Sequence, residues 1–195
     1  MHMDAKLIME LRNMTGAGIL DAKSALEETG GNLETAAELL RKKGQAKAAK
    51  KMDRMTNEGL VGSYIHGNGK VGVLVEVACE TDFVARSDEF QQLVHDLAMH
   101  IAASNPSYLK PEEVPEAIVM KEREIAAAEF AGSGKPPAVI EKIVDGKISK
   151  FYADVCLLPQ AFVKDDAITV AQRVEQAVAK LGENIQIRRF CRFAL

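Results

Sequence analysis

The chain has few cysteines, no long apolar run and no broad excess of basic residues, and each shortage excludes a class of protein. Its 195 residues include three cysteines, Cys79, Cys156 and Cys191. They lie far apart without a Cys-x-x-Cys pair, so neither a zinc site nor a disulfide framework is predicted. Free cysteine is often a small buried hydrophobe, and nothing more is expected of these three.

Membrane and nucleic-acid proteins are disfavoured in the same way. No apolar run approaches the about 18 residues of a membrane span, and the amino end lacks the features of a signal or transit peptide. The formal net charge of −3 argues against a main partner with a phosphate backbone. With 47% hydrophobic and 27% charged residues, the composition predicts a globular protein, and the lack of a span and of a targeting signal predicts a cytoplasmic location without a membrane partner.

Motifs of common catalytic and cofactor sites are missing as well. The glycine clusters at 16–18, 67–69 and 132–134 fit neither a phosphate loop nor a dinucleotide-binding turn. His95 and His100 are five residues apart, on different sides of a helix, and are interpreted as surface or structural histidines. We therefore predict no catalytic residue, no metal and no cofactor, and a binding module fits better than an enzyme.

The front of the chain predicts a compact three-helix unit. Apolar residues recur at helical spacing from residue 3 to about residue 42. Turn residues separate the helices at Thr15-Gly16-Ala17-Gly18 and at Gly30-Gly31-Asn32. The first turn could bring its backbone close to a partner, or could simply end one helix and start the next.

A basic segment follows at residues 41–54, with seven basic residues against one acid. Its alanines favour helix, so it predicts an exposed connecting helix. A solvated face or linker is the preferred interpretation. Contact with nucleic acid is the alternative, although no aromatic residue interleaves the lysines to stack on bases.

The rest of the chain predicts an α+β core. Alternating runs at 59–66 and 70–78 are joined through Gly67-Asn68-Gly69, a strong hairpin signal. Helices are predicted at about 82–104, 115–131, 137–158 and 169–181, the third with a point of breakage at Gly146. A strand at 184–193 closes the chain. Hairpin and closing strand together predict a three-stranded antiparallel sheet packed against helices, in a domain of residues 55–195 behind a helical domain of residues 1–54.

The junction of the second strand with the next helix is the most specific candidate for a binding site. Thr81 is a good N-cap, which places Asp82 and Phe83 in the first helical turn, at the tip of the scaffold. These side chains could therefore be pressed into a partner. The alternative is that Phe83 and Val84 pack the helix onto the sheet while Asp82 serves only the helix start.

Several segments in order resemble the family of translation elongation factor Ts. They are LRNMTGAGILDAKSAL at 11–26, AAKK at 48–51 and ETDFV at 80–84, followed by MHIAASNP at 99–106, SGKP at 133–136, FVKD at 162–165 and GENI at 182–185. The resemblance covers essentially the whole chain. It implies a ubiquitin-associated-like (UBA-like) helical domain before the α+β core. It also implies a guanine nucleotide exchange factor for elongation factor Tu, without covalent chemistry of its own.

The resemblance also implies which residues meet elongation factor Tu, in its GDP-bound and nucleotide-free forms. One segment intrudes near the magnesium site of the partner and disturbs the ion and the phosphate loop, so that GDP leaves. It matches Thr81, Asp82, Phe83 and Val84. The front domain grips the GTPase domain of the partner through a turn and its neighbours, which match Thr15, Gly16, Ala17, Gly18, Ile19 and Leu20.

The length of the chain raises the question of a homodimer. Longer family members have a second core half and an inserted helical hairpin, and short members are expected to pair. The closing strand, with Phe190, Cys191 and Phe193, could lie at that seam, or could be an ordinary strand within one subunit. The rival function is an RNA-associated factor that uses residues 41–54 together with Arg188, Arg189 and Arg192.

Overall fold

The computed structural model describes residues 4–195 and has the predicted α+β architecture. Three helices come first, followed by a hairpin, four further helices, a second pair of short strands, one more helix and a closing strand. The helices are α1 (Ala5–Thr15), α2 (Ile19–Glu28), α3 (Leu33–Ala49), α4 (Asp82–Ala85), α5 (Asp88–Ser104), α6 (Glu116–Ala128), α7 (Pro137–Val155) and α8 (Val170–Leu181). The strands are β1 (Glu58–His66), β2 (Val71–Cys79), β3 (Ala161–Phe162), β4 (Asp165–Thr169) and β5 (Gln186–Ala194).

The predicted sheet is present, with strand order β1-β2-β5 and antiparallel strands. The chain divides into two compact units. The first contains, of the described residues, 4–62, 76–94 and 172–188; the second contains residues 63–75, 95–171 and 189–195. The predicted boundary between residues 54 and 55 stays a prediction.

In the first unit, α1, α2 and α3 enclose a small apolar core. Its fully buried members are Leu11, Ala22, Ala25, Leu26 and Ala36. Gly16 ends α1 in the left-handed conformation, at φ 67°, and Asn32 starts α3 by accepting a hydrogen bond from the backbone N–H of Thr35 at 3.0 Å. The three-helix unit is therefore as predicted, and its UBA-like character stays a prediction.

The basic segment does not form a helix of its own. Helix α3 continues through it to Ala49, and turns at residues 50–53 and a bend at residue 54 follow. No proline interrupts the helix between Leu40 and Ala49, and the alanines propagate it. Gly44, within α3, lies close to α8, since a Cβ at Gly44 would lie 3.4 Å from the Cβ of Ala179.

Two other predicted helices have different limits. The helix predicted at 82–104 is interrupted by Ser87, whose hydroxyl donates to the carbonyl of Val84 at 2.7 Å and accepts from the N–H of Phe90 at 3.3 Å. This side chain ends α4 and caps α5. Helix α7 passes through Gly146 without a break.

The second unit contains an antiparallel pair that we did not predict, β3 with β4. These strands are too short for alternation to be recognised in the sequence. A separate apolar cluster lies where α6 and α7 meet and includes Ala126, Val144 and Ile148. Among residues 4–195, none of the helices has the length and apolar character needed to cross a membrane.

His100 is a structural histidine in the second unit. This is one of the two roles, surface or structural, that the sequence analysis gave it. The ring is fully buried and stacks on Phe162 with centroids 5.8 Å apart. Its Nδ1 accepts the N–H of Val163 at 3.1 Å, so Nε2 carries the proton and donates to Oε1 of Gln160 at 3.0 Å. Burial lowers the pKa of His100 below its ordinary value of 6.5.

We expect this histidine to make the fold sensitive to acid. Below pH 6.5 the unfolded chain gains a proton on His100 that the folded chain resists. The free energy of unfolding therefore falls as the pH falls from 6.5 toward the lower pKa of the folded state, by at most about 1.4 kcal/mol per pH unit for one proton. Urea unfolding at several pH values checks this. His100→Gln should make the free energy of unfolding less dependent on pH, whereas His95→Gln, at an exposed position, should leave that dependence unchanged. An equal pH dependence in both variants would contradict the assignment.

Candidate functional site

The turn that follows β2 presents one aromatic side chain outward and one aliphatic side chain inward. Phe83 is 82% exposed and Val84 is 5% exposed. Thr81 is the N-cap of α4 and its Oγ1 accepts from the N–H of Val84 at 3.4 Å. Val84 thus packs the turn into the protein, and the interpretation of Phe83 as a packing anchor is wrong. We call residues 81–84 the α4 tip.

Asp82 lies beside Phe83 on the exposed side of the α4 tip. Its carboxylate forms an ion pair with Arg86 at 3.1 Å, one helical turn later. Because both side chains are exposed, this pair contributes little stability and is readily exchanged for another partner. The tip therefore offers a benzyl group and an adjacent carboxylate to the outside.

Cys79, the last residue of β2, contacts the backbone of the α4 tip. Its buried thiol donates to the carbonyl of Thr81 at 3.2 Å. Burial, with the negative charge of Glu183 as the next cause, raises the pKa of Cys79 to about 11. Since the thiolate is the reactive form, this cysteine is an inert structural group at neutral pH.

The turn between α1 and α2, residues 15–18, lies beside a second group of exposed apolar side chains. We call it the front turn. Thr15 closes the turn, since its Oγ1 donates to the carbonyl of Leu11 at 2.7 Å and accepts from the N–H of Ala17 at 3.3 Å. Gly16 and Gly18 end α1 and start α2, as the structural interpretation predicted. Leu20 is nonetheless 82% exposed, and Met14 and Ile19 are also exposed. Exposed large apolar side chains that cluster in this way often mark a contact surface.

The basic residues of the segment 41–54 mostly contact groups of their own chain. Lys42, Lys43, Lys47 and Arg54 pair with Glu38, Glu28, Asp21 and Glu80, and Lys51 donates to the carbonyl of Gly182. Arg188 donates to Thr56, and Arg192 to the carbonyl of Ala102. Five of the seven basic residues of the segment thus have internal partners, which favours a structural role over a phosphate-binding surface.

The closing strand and the hairpin leave apolar side chains exposed in the second unit. Phe193 is 71% exposed, Cys191 is exposed and Phe190 is half-buried. Ile65 and Leu74 of the hairpin are also exposed, and a Cβ at Gly72 would lie 3.0 Å from Cδ1 of Ile65, so Ile65 covers that glycine. The residues predicted for a dimer seam are therefore accessible.

The first unit contains one functional candidate that sequence reasoning left without a role. The carboxylate of Glu183 accepts hydrogen bonds from the α4 tip, 102 residues away along the chain. The segment GENI at 182–185 was a recognisable signal, but a contact at this separation cannot be read from the sequence. Within residues 4–195, no group of three or more His, Cys, Asp or Glu residues is arranged to hold a metal ion.

Comparison with known proteins gives consistent results. The family model described as Elongation factor TS matches residues 20–177. The Elongation factor Ts of Geobacter sulfurreducens is 54% identical over 195 residues, which are 100% of this chain and 90% of that protein. The corresponding values are 53%, 100% and 99% for Elongation factor Ts of Fervidobacterium nodosum, and 56%, 100% and 89% for that of Anaeromyxobacter sp. strain K. The matched region of the family includes the α4 tip, and the relatives also cover the front turn and the closing strand.

Proposed function

We propose that the chain, which belongs to the elongation factor Ts family, promotes the release of GDP from elongation factor Tu during translation elongation in the cytoplasm. The observation that carries this proposal is the exposure of Phe83 on a turn that Val84 anchors. The reaction needs no covalent chemistry from this chain. It needs a surface that fits the partner better when GDP and its magnesium ion have left.

The physical basis is differential affinity. A ligand shifts an equilibrium only by the difference in its affinity for the two states, and linkage makes the antagonism between this chain and GDP reciprocal. Mg²⁺ requires near-ideal octahedral coordination, so a small displacement of one coordinating element weakens GDP binding disproportionately. Phe83 supplies an apolar wedge for that displacement, and Asp82 supplies a carboxylate that competes with phosphate or disturbs the surroundings of the ion.

The front turn supplies the second contact in this proposal. Ile19 and Leu20 project from the start of α2 beside the turn formed by Thr15, Gly16, Ala17 and Gly18. Burying such exposed aliphatic side chains against the GTPase domain contributes affinity without regard to the nucleotide state. We assign binding mainly to this surface and displacement of the nucleotide to the α4 tip.

A binding experiment separates this function from the RNA-associated alternative. The chain should bind nucleotide-free elongation factor Tu saturably and the GDP-loaded form more weakly. Its affinity for RNA should be low at about 150 mM salt, because the chain has a formal net charge of −3 and four of the five lysines of segment 41–54 have partners within the chain. Equal affinity for both forms of elongation factor Tu, or tight RNA binding with a steep salt dependence, would contradict the proposal.

We further propose that two copies of the chain pair through the exposed apolar strands of the second unit, with Phe193 at the seam. Light scattering should give about twice the chain mass of 21.2 kDa. Phe193→Asp should reduce the mass to that of one chain, because a carboxylate would be buried in the seam without a partner. Met120→Asp, at an exposed position on α6, serves as the control and should leave the mass unchanged. An unaltered chain that is monomeric and active would contradict the pairing.

A further inference from the structure

One carboxylate, that of Glu183, receives three hydrogen bonds, two from Thr81 at the start of the α4 tip and one from the preceding residue, Glu80. Its Oε2 accepts the backbone N–H groups of Glu80 and Thr81, each at 3.0 Å. Its Oε1 accepts the hydroxyl of Thr81 at 2.6 Å. Hydrogen bonds to an ionised acceptor are roughly twice as strong as neutral ones, so this is a firm attachment for an exposed turn.

The attachment is reciprocal. The carboxylate of Glu80 accepts the backbone N–H of Asn184 at 2.6 Å and the guanidinium of Arg54 at 3.4 Å. The buried side chain of Asn184 in turn donates to the carbonyls of Met52 and Arg54, at 3.1 and 2.8 Å. We call Glu80, Thr81, Glu183 and Asn184 the carboxylate clasp. It fastens the end of β2 to the loop between α8 and β5.

The α4 tip needs such a fastening because its own helix is too short to fix it. Helix α4 has four residues, far fewer than the about 12–15 below which an isolated helix is only marginally stable. The Thr81 hydroxyl has two tasks there, since it accepts from the N–H of Val84 and donates to Glu183. The hydrogen bond to Glu183 thus fixes the orientation of the Thr81 hydroxyl that caps α4.

Phe83 depends on this arrangement more than an ordinary side chain would. It is mostly exposed, so few of its own contacts determine where the ring lies. Its position follows from the backbone of residues 81–84, which Val84 holds from one side and the clasp from the other. A wedge that is ordered before binding avoids the entropic cost of ordering during binding.

We propose that Glu183 is a positioning residue for nucleotide exchange, acting through Thr81 to hold Phe83 ready for the partner. The inference rests on the proposed function and adds a residue that touches neither elongation factor Tu nor GDP. Loss of the carboxylate frees the turn. The front turn and its neighbours Ile19 and Leu20 remain intact, so binding to elongation factor Tu persists while displacement of GDP becomes inefficient.

The test compares Glu183→Ala and Glu183→Gln with the control Glu89→Gln. Glu89 is another carboxylate of the first unit, exposed and paired with Lys180 at 2.6 Å, and its replacement removes the same charge. Glu183→Ala should lower the maximal rate of stimulated GDP release about tenfold. The concentration of chain that gives half of that rate should change less than about threefold. Glu183→Gln should lie between, since a neutral amide still accepts a hydrogen bond, and the control should match the unaltered chain.

Two further readouts separate positioning from a general loss of structure. Amide hydrogen exchange in Glu183→Gln should accelerate at Glu80 and Thr81 but not along α5. In a Phe83→Ala background, Glu183→Ala should have no additional effect on release, because it acts through that ring.

Three results would overturn the inference. They are an unchanged release rate in a folded variant, an equal loss in both backgrounds, and uniform acceleration of exchange along the chain. An unaltered chain that fails to stimulate release would instead overturn the proposed function, so the two failures are distinguishable.

Discussion

Phe83→Ala should slow the stimulated release of GDP from elongation factor Tu at least about tenfold while leaving the fold intact. The ring is the largest side chain that the α4 tip exposes, and it is the group proposed to displace the surroundings of the magnesium ion. Because it is mostly solvated in the free chain, its removal should change the free energy of unfolding by no more than about 0.5 kcal/mol. Fluorescent-GDP dissociation and urea unfolding measure the two effects.

The matched control is Met120→Ala. Met120 is also an exposed apolar residue but lies on α6, outside both proposed contacts. Release should be as fast with this variant as with the unaltered chain. If the folded Phe83→Ala variant released GDP at the original rate, the wedge would have no part in the mechanism.

Gly59→Ala should destabilise the fold by about 3 kcal/mol or more. Gly59 has φ 147°, a conformation that is essentially restricted to glycine. A Cβ at this position would lie 2.2 Å from the carbonyl oxygen of Val77 and 2.7 Å from Cα of Ala78. Both are backbone atoms of β2, so the clash can be relieved only by moving the two strands apart.

Gly146→Ala provides a control of opposite sign. Gly146 lies within α7, its φ is not positive, and a methyl group added at its Cα would meet no atom within 4 Å outside the backbone of its own helix. Alanine there should stabilise the helix by about 0.5–1 kcal/mol. Urea unfolding of both variants measures the two changes. An unfolding midpoint for Gly59→Ala equal to that of the unaltered chain would show that the strands are not held as closely as described.

The periodicity of apolar residues was sufficient to locate the helices and strands that have long apolar patterns. Side-chain contacts determine the helix ends that periodicity did not predict. The front helices and the strands β1, β2 and β5 lie where their patterns predict. Ser87 divides a continuous apolar pattern into α4 and α5 through two hydrogen bonds. Helix α3 runs into the basic segment because its alanines favour helix and no proline stops it, and its lysines pair with acids of its own unit, which an amino-acid count cannot reveal.

The site was predictable in its location and only partly in its geometry. Alternation along β2 and the capping residue Thr81 place the α4 tip at a strand end. They do not determine which of the adjacent residues Phe83 and Val84 faces outward, because a four-residue helix has no apolar stripe of its own. Glu183 was beyond prediction for a different reason, since its contacts depend on how the loop after α8 meets the end of β2.

The most direct test of the account is the rate at which fluorescent GDP leaves elongation factor Tu when this chain is added at increasing concentration. We predict that the rate rises with concentration and saturates, that excess Mg²⁺ lowers it, and that Phe83→Ala abolishes most of the rise. A dissociation rate that stays at its spontaneous value at every concentration of the folded chain would contradict the proposed function.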